Sequence, residues 1–363
     1  MTSRREFMAA VAAASAAAAL PAVGLAQSKG AQSKDKKAPN NKAAKHHGVI
    51  DTHFHFWAPE YLKLTEDWGA AHHARPDPRI ANWSPQVALD EMDSGGVQTA
   101  MLSLASIREG FWGLDPQKAT GIVHACHDFG AKMVSDHKGR FGLLAPLNMI
   151  DIDSSLKEAE YALDQVKADG IGIQSSANGR YPGDPYYKPL WEELNRRKAV
   201  VFFHGPVPDC CGALKVGPGV NPAVGEVTFD MTRAVMSLLA NGALARYRDI
   251  KWLFAYGGGA TPYIAGRMEA FFKSAKNLHE IAPDGVMAEL KRLHYDTVNV
   301  TAAPSFAALT KLAPITQITY GTDFPYFAND QLDSLDQRGL SAKDLAAIHS
   351  GNAKRLIPRL AKA

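Results

Sequence analysis

The chain has 363 residues, 46% hydrophobic and 21% charged, with a formal net charge of +3. These proportions describe a globular protein with ample core. The positive charge is confined to the start: residues 1–26 carry a net +1 and residues 27–47 a net +5, which leaves residues 48–363 at −3, so the folded part is mildly acidic and nucleic acid is not an expected partner.

In chain order, the first element is an export leader. Ser3-Arg4-Arg5-Glu6-Phe7-Met8 resembles a twin-arginine motif, followed by an alanine-rich apolar run to Leu20 and a small-residue exit at Gly24-Leu25-Ala26. Residues 1–26 are therefore expected to be a twin-arginine signal peptide that delivers the protein to the periplasm. Its apolar run is short for a membrane span, and no other stretch reaches the ~18 uninterrupted apolar residues that one needs. No stable membrane anchor is expected once the leader is removed. Twin-arginine export carries proteins that are already folded, often with a metal or cofactor loaded, which suits a metalloprotein. Residues 27–47, rich in Gln, Ser, Lys, Pro and Asn, have the composition of a disordered linker. Residues 48–363 form the expected barrel domain.

The domain opens on Val49–Phe56, a buried strand that carries His53 and His55. Further strands are expected at Val97–Leu104, Phe141–Met149, Gly170–Ser175, Val200–His204, Lys251–Tyr256, His294–Val300 and Gln317–Thr322. The first helix is signalled by Ser84 at the N-cap and Pro85 behind it, runs through Val87, Leu89 and Met92, and stops near Gly95-Gly96. Helical stretches follow at about 116–137, 153–169, 187–198, 228–246, 260–276, 303–312 and 341–355. Eight strands, each followed by a helix, argue for an α/β fold of the (β/α)8 TIM-barrel type. A doubly wound sheet is the alternative, but no Gly-x-Gly-x-x-Gly turn follows the first strand. Two connections, Trp57–Trp83 and Gly205–Val227, are too long for turns. In a barrel both belong to the C-terminal face, where active sites are built, as lids or substrate walls. Cys126, Cys210 and Cys211 have no zinc-finger spacing and no Cys-x-x-Cys; free thiols are the expectation, and a bridge from Cys126 to Cys210 or Cys211 is the alternative in an oxidising periplasm.

The chemistry starts from His53 and His55. A strand repeats its side-chain direction every two residues, so both imidazoles project to one face and can share one metal ion. The fifth strand is apolar until it ends in His204, and the eighth ends in Asp323. Three imidazoles and one carboxylate thus collect at the C-terminal ends of strands one, five and eight. Such a set suits zinc or another divalent ion, with a position left for water or substrate.

These residues resemble a known family. Asp51-Thr52-His53-Phe54-His55, Phe203-His204, the run from Tyr256-Gly257-Gly258-Gly259 to Arg267, and Gly321-Thr322-Asp323-Phe324-Pro325 are similar to the amidohydrolase-related family of aminocarboxymuconate-semialdehyde decarboxylase. Trp83-Ser84-Pro85, Leu293-His294-Tyr295-Asp296-Thr297 and His349-Ser350-Gly351-Asn352 support the resemblance, which runs from about Val49 to Leu360. It implies a metal-dependent carbon–carbon lyase or hydrolase, with His53, His55, His204 and Asp323 as metal ligands and Asp323 also as a general base or proton carrier. One position departs: many relatives have a histidine before the paired glycines, and here Tyr256 stands there. A phenol with an ordinary pKa of ~10 shuttles protons poorly near pH 7, but it can donate a hydrogen bond, stabilise an oxyanion or ligate a metal.

The sequence thus leads to an exported metal-dependent decarboxylase of a small aromatic or unsaturated carboxylic acid, holding zinc (Mn2+ being the other candidate), with Asp323 and Tyr256 as its catalytic residues. A metal-dependent hydrolase of a lactone or similar ester is the alternative, and a catalytically dead binding protein is a third. Relatives include homodimers, so a homodimer is a further expectation by analogy. Arg75, Arg79, Arg108 and Arg180 fall on expected βα loops and are candidate carboxylate clamps. His72 and His73 are expected on a loop surface. Gly257-Gly258-Gly259 reads as a tight strand-to-helix turn, because it lacks the Lys-Ser/Thr of a phosphate-binding loop.

Overall fold

In the computed structural model, the described residues are 46–71, 77–105, 114–208, 210–211, 217, 219–327 and 330–361. The leader, most of the expected linker, His72, His73, Arg75 and Arg108 lie outside them.

The first strand, β1 (Val49–His55), is buried at every residue, as a strand covered on both faces must be. The others are β2 (Val97–Ser103), β3 (Phe141–Pro146), β4 (Gly170–Gln174), β5 (Val200–His204), β6 (Lys251–Phe254), β7 (His294–Asp296) and β8 (Ile318–Thr319). They form one parallel sheet in the order β1 to β8. Past Thr319 the chain stays extended and returns to β1. Thr52 N donates to Tyr320 O (2.9 Å), Asp323 N to His53 O (2.8 Å) and His55 N to Phe324 O (3.0 Å), which closes the barrel as expected. A bulge in β1 between Asp51 and Phe54 sets the register against β2 and tightens the local twist where the two histidines sit.

Each strand sits where the sequence puts it, but every expected C-terminal end except that of β5 was too long. β6 stops at Phe254 rather than Tyr256, and β7 is three residues long rather than seven. The physical reason is that the last residues of these segments leave ladder geometry to aim side chains over the barrel mouth. The helix Pro85–Gly95 has the expected caps: Ser84 Oγ accepts from Val87 N, and Gly96 closes it in the left-handed conformation (φ 72°). The helices Pro116–Asp136, Lys188–Arg196, Glu226–Ala240, Thr261–Phe272 and Ala303–Leu312 match their expected stretches. The stretch at 153–169 is helical over Ile152–Glu160 and then widens into a π turn over Tyr161–Gln165. The Trp57–Trp83 connection, as expected too long for a turn, contains two helices, Pro59–Ala71 and Pro78–Ala81. No described helix is long and apolar enough to cross a membrane. Cys126, Cys210 and Cys211 are free thiols.

Glycine matters where two backbones nearly touch. A Cβ on Gly321 would stand 2.8 Å from His53 Cβ, so only glycine lets the chain beyond β8 lie against His53. Gly257, Gly258 and Gly259 all have positive φ (60°, 76° and 68°), the tight turn expected there.

Candidate metal centre

The C-terminal mouth of the barrel brings together all four expected ligands. His53 and His55 are fully buried, and His204 and Asp323 keep 6% and 3% exposure. One donor atom from each lies within 4.8 Å of the others. His53 Nε2 is 3.2 Å from His55 Nε2 and 3.1 Å from Asp323 Oδ1. Asp323 Oδ1 is 2.8 Å from His55 Nε2 and 3.6 Å from His204 Nε2. Ligand bonds of ~2.0–2.1 Å in a tetrahedron hold donors about 3.3 Å apart, close to these spacings.

Two of the imidazoles are aimed by partners that the sequence reading did not assign. His53 Nδ1 donates to Asp296 Oδ2 (2.6 Å), and His55 Nδ1 faces Ser103 O (3.2 Å). With Nδ1 engaged, each ring turns its Nε2 towards the centre, the usual outer support of a metal-binding histidine. Two Nε2 lone pairs facing each other at 3.2 Å repel. A proton on one ring relieves a single contact, whereas one divalent cation relieves all of them, so the donor set fits a metal ion. Asp296 closes the short β7 and is fully buried. Its sequence signal was its place in the run Leu293-His294-Tyr295-Asp296-Thr297 that supports the family resemblance.

The electrostatics follow from burial and from these pairs. Burial, then the neighbouring His55, push His204 down to about 3, and burial also lowers His55. Both rings are neutral near pH 7 and present lone pairs. Burial pulls His53 down too, but Asp323 and Asp296 outweigh it and push the ring up to about 10. Burial acts to raise Asp323, yet the charge on His53 and the hydrogen bond that its protonated ring donates hold the carboxyl well below the usual range. Without an ion, therefore, Asp323 is a carboxylate and His53 carries the balancing proton.

Tyr256 reaches the same point. Its hydroxyl lies 2.8 Å from His204 Nε2 and 3.3 Å from Asp323 Oδ2. Burial, then the charges of Asp323 and Asp296, keep it a neutral phenol, far above its ordinary pKa. A phenolate ligand is thus disfavoured and a hydrogen-bond donor favoured. Tyr256 and Asp323 both hold left-handed backbone, φ 56° and 65°, which is rare away from glycine and costs on the order of 1–3 kcal/mol each. The fold sustains that strain at the two residues proposed for proton chemistry.

Aromatic rings wall the mouth. Trp57 and Tyr326 approach the His55 ring at 6.2 and 6.0 Å, and Phe202 approaches His53 at 5.1 Å. Arg79 is already engaged. Its guanidinium forks onto Asp77 (2.9 and 2.6 Å), donates to Tyr326 O (3.0 Å) and covers the Tyr326 ring at 5.1 Å. Arg180 stacks on Tyr186 (4.6 Å) and sits 3.9 Å from Asp184. Arg267 lies over the Phe271 ring at 4.5 Å. Arg79 therefore braces the Tyr326 wall, and Arg180 is occupied on its own loop.

Comparison with known proteins bears on this arrangement. The decarboxylase yanB of Aspergillus niger is 31% identical over 85% of this chain and 87% of its own length. A 6-methylsalicylic acid decarboxylase of Penicillium expansum is 25% identical over 86% of this chain and 96% of its own. The crystal structure of a dihydroxybenzoic acid decarboxylase from Polaromonas, with bound manganese and the inhibitor 2-nitroresorcinol, superposes with a TM-score of 0.74 at 20% identity, covering 87% of this chain and 98% of that one. The family described as amidohydrolase matches residues 50–359, which takes in the whole barrel and all four metal-site residues. The chain is a member of the amidohydrolase family.

Proposed function

We propose that this protein is a metal-dependent decarboxylase acting on a small aromatic carboxylic acid that carries a hydroxyl beside the carboxylate. The observation that supports it most is the buried His53, His55, His204 and Asp323 set, placed under an aromatic wall in a chain whose relatives are named as decarboxylases. Three imidazoles with one carboxylate suit zinc, and manganese, the ion in the Polaromonas structure, is the alternative. The bound ion supplies a Lewis acid for the substrate's oxygens.

The chain's own groups account for the proton. Asp323 begins as a carboxylate whose Oδ1 faces the three histidines and whose Oδ2 faces Tyr256. It therefore takes its proton from the substrate's own hydroxyl as that group binds. Asp323 then delivers the proton to the ring carbon bearing the carboxylate. The carbon–carbon bond breaks, its electron pair returns to the ring, carbon dioxide leaves, and the phenoxide product regains a proton from solvent. Tyr256 stays a phenol and orients Oδ2 throughout. Trp57 and Tyr326 exclude water and stack on the substrate ring.

The test is carbon dioxide release from a panel of hydroxybenzoates by protein loaded with zinc or manganese. Release confined to acids with an adjacent hydroxyl supports the reading. Turnover of a lactone without carbon dioxide would move the assignment to hydrolysis, and metal binding with no turnover on either panel would favour a binding role. The export reading is also a proposal: residues 1–26 are a cleaved twin-arginine leader and 27–47 a linker to the periplasmic barrel. Arg4→Lys with Arg5→Lys should leave the precursor in the cytoplasm, and normal export of that variant would overturn it. A homodimer is proposed on family analogy, and sedimentation velocity at micromolar concentration would decide it.

A further inference from the structure

A second group of metal-ligating side chains lies at the opposite end of β1. His46 precedes the strand by three residues, so the length of β1, ~20 Å of chain at ~3.3 Å per residue, separates it from His55. It packs beside Asp336, the last residue of the helix Asp330–Asp336, and His349, in the π turn Ala347–Gly351. His46 Nε2 is 3.5 Å from Asp336 Oδ2 and 3.7 Å from Asp333 Oδ1. The His46 and His349 rings meet edge-on, centroids 5.5 Å apart at 83°. One donor atom each from His46, Asp336 and His349 lies within 4.8 Å of the others.

The 3.5 Å between His46 Nε2 and Asp336 Oδ2 is long for a hydrogen bond and near the ~3.3 Å edge of a tetrahedron built on ~2.0–2.1 Å metal–ligand bonds. The His46 and His349 Nε2 atoms are both buried with no hydrogen-bond partner among the described residues. A buried imidazole nitrogen left in that state costs on the order of 1–3 kcal/mol, and two side by side are hard to explain as packing. Two imidazoles and a carboxylate make an ordinary zinc donor set.

We propose that His46, Asp336 and His349 bind a second divalent transition-metal ion at the N-terminal face of the barrel, clipping the lead-in of β1 to the closing helices. The site is structural: it ties the start of the barrel's first strand to the π turn beside its last one, where Tyr320 N donates to Ile348 O (3.2 Å). It does not depend on the decarboxylase reading.

The experiment uses the mature protein, saturated with Zn2+, desalted and analysed for bound metal. About two zinc ions per chain are expected in the wild type and about one each in His349→Ala and in Asp323→Ala, with none in the double variant. Asp336→Asn, which keeps the shape of the side chain, should lose the same single ion as His349→Ala. In the Asp323→Ala background, added zinc should raise the melting temperature, and His349→Ala should abolish that rise. About one ion in the wild type, lost in Asp323→Ala and unchanged in both His349→Ala and Asp336→Asn, would overturn the second site while leaving the first intact.

Discussion

The two ends of β1 carry similar donors in different settings. At the C-terminal end every donor is buried, and His53 and His55 are held from behind by Asp296 and Ser103 O. At the N-terminal end the donors are only partly buried, with Asp336 a quarter exposed. The first arrangement fixes geometry before an ion arrives, as chemistry on a bound substrate requires. The second tolerates adjustment, as a structural clip can. Donor identity is thus shared by the two sites, and pre-organisation separates them.

The largest expected effect breaks the chemistry at the C-terminal end. Asp323→Asn should keep the side chain's shape but cannot carry the proton, so kcat should fall by about 10²–10⁴-fold. Single-turnover carbon dioxide release measures this, and a fall below tenfold would place the proton carrier elsewhere. Next is the support behind His53. Asp296→Asn should weaken metal affinity or activity by roughly 10–100-fold, read by competition with a chromogenic chelator, while zinc at His46, Asp336 and His349 stays unchanged. An equal loss at both ends would erase the contrast drawn here.

Tyr256→Phe removes one hydrogen bond to a charged group, worth ~1.5–3 kcal/mol, so kcat should fall about ten- to a hundredfold with KM nearly constant. An unchanged kcat would reduce Tyr256 to packing. pH acts on metal affinity rather than on turnover. His53 is pushed up from 6.5 to about 10, so the metal-free protein holds a proton that an incoming ion must displace. Metal affinity at this end should therefore rise about tenfold per pH unit from neutrality towards pH 10, with about one proton released per ion. Titration calorimetry in buffers of different ionisation enthalpy would count that proton. The same sign governs the metal-free fold: the His53 ion pairs stabilise it fully below pH 6.5, and that stabilisation fades as pH rises through about 10.

Much of the barrel was legible in the chain because β3 and β5 are buried throughout and read as apolar runs up to their ends. The segment at β7, polar in sequence, proved to be a strand of three residues, and β8 has two. Asp296 is the last residue of β7, and the chain past β8 turns through left-handed backbone at Asp323 (φ 65°). The helix Pro59–Ala71 was missed because its mixed apolar and charged face resembles a polar loop, and only Tyr61 is buried in it.

The sequence by itself determined the fold, the four donors at the barrel mouth and the departure at Tyr256, because strand periodicity and strand ends are local properties. It could not determine that Asp296 would hold His53 from behind, or that Tyr256 and Asp323 would take left-handed backbone. Nor could it bring His46 to Asp336 and His349. Those relations join residues far apart in the chain, and they exist only because closing the barrel sets β8 beside β1.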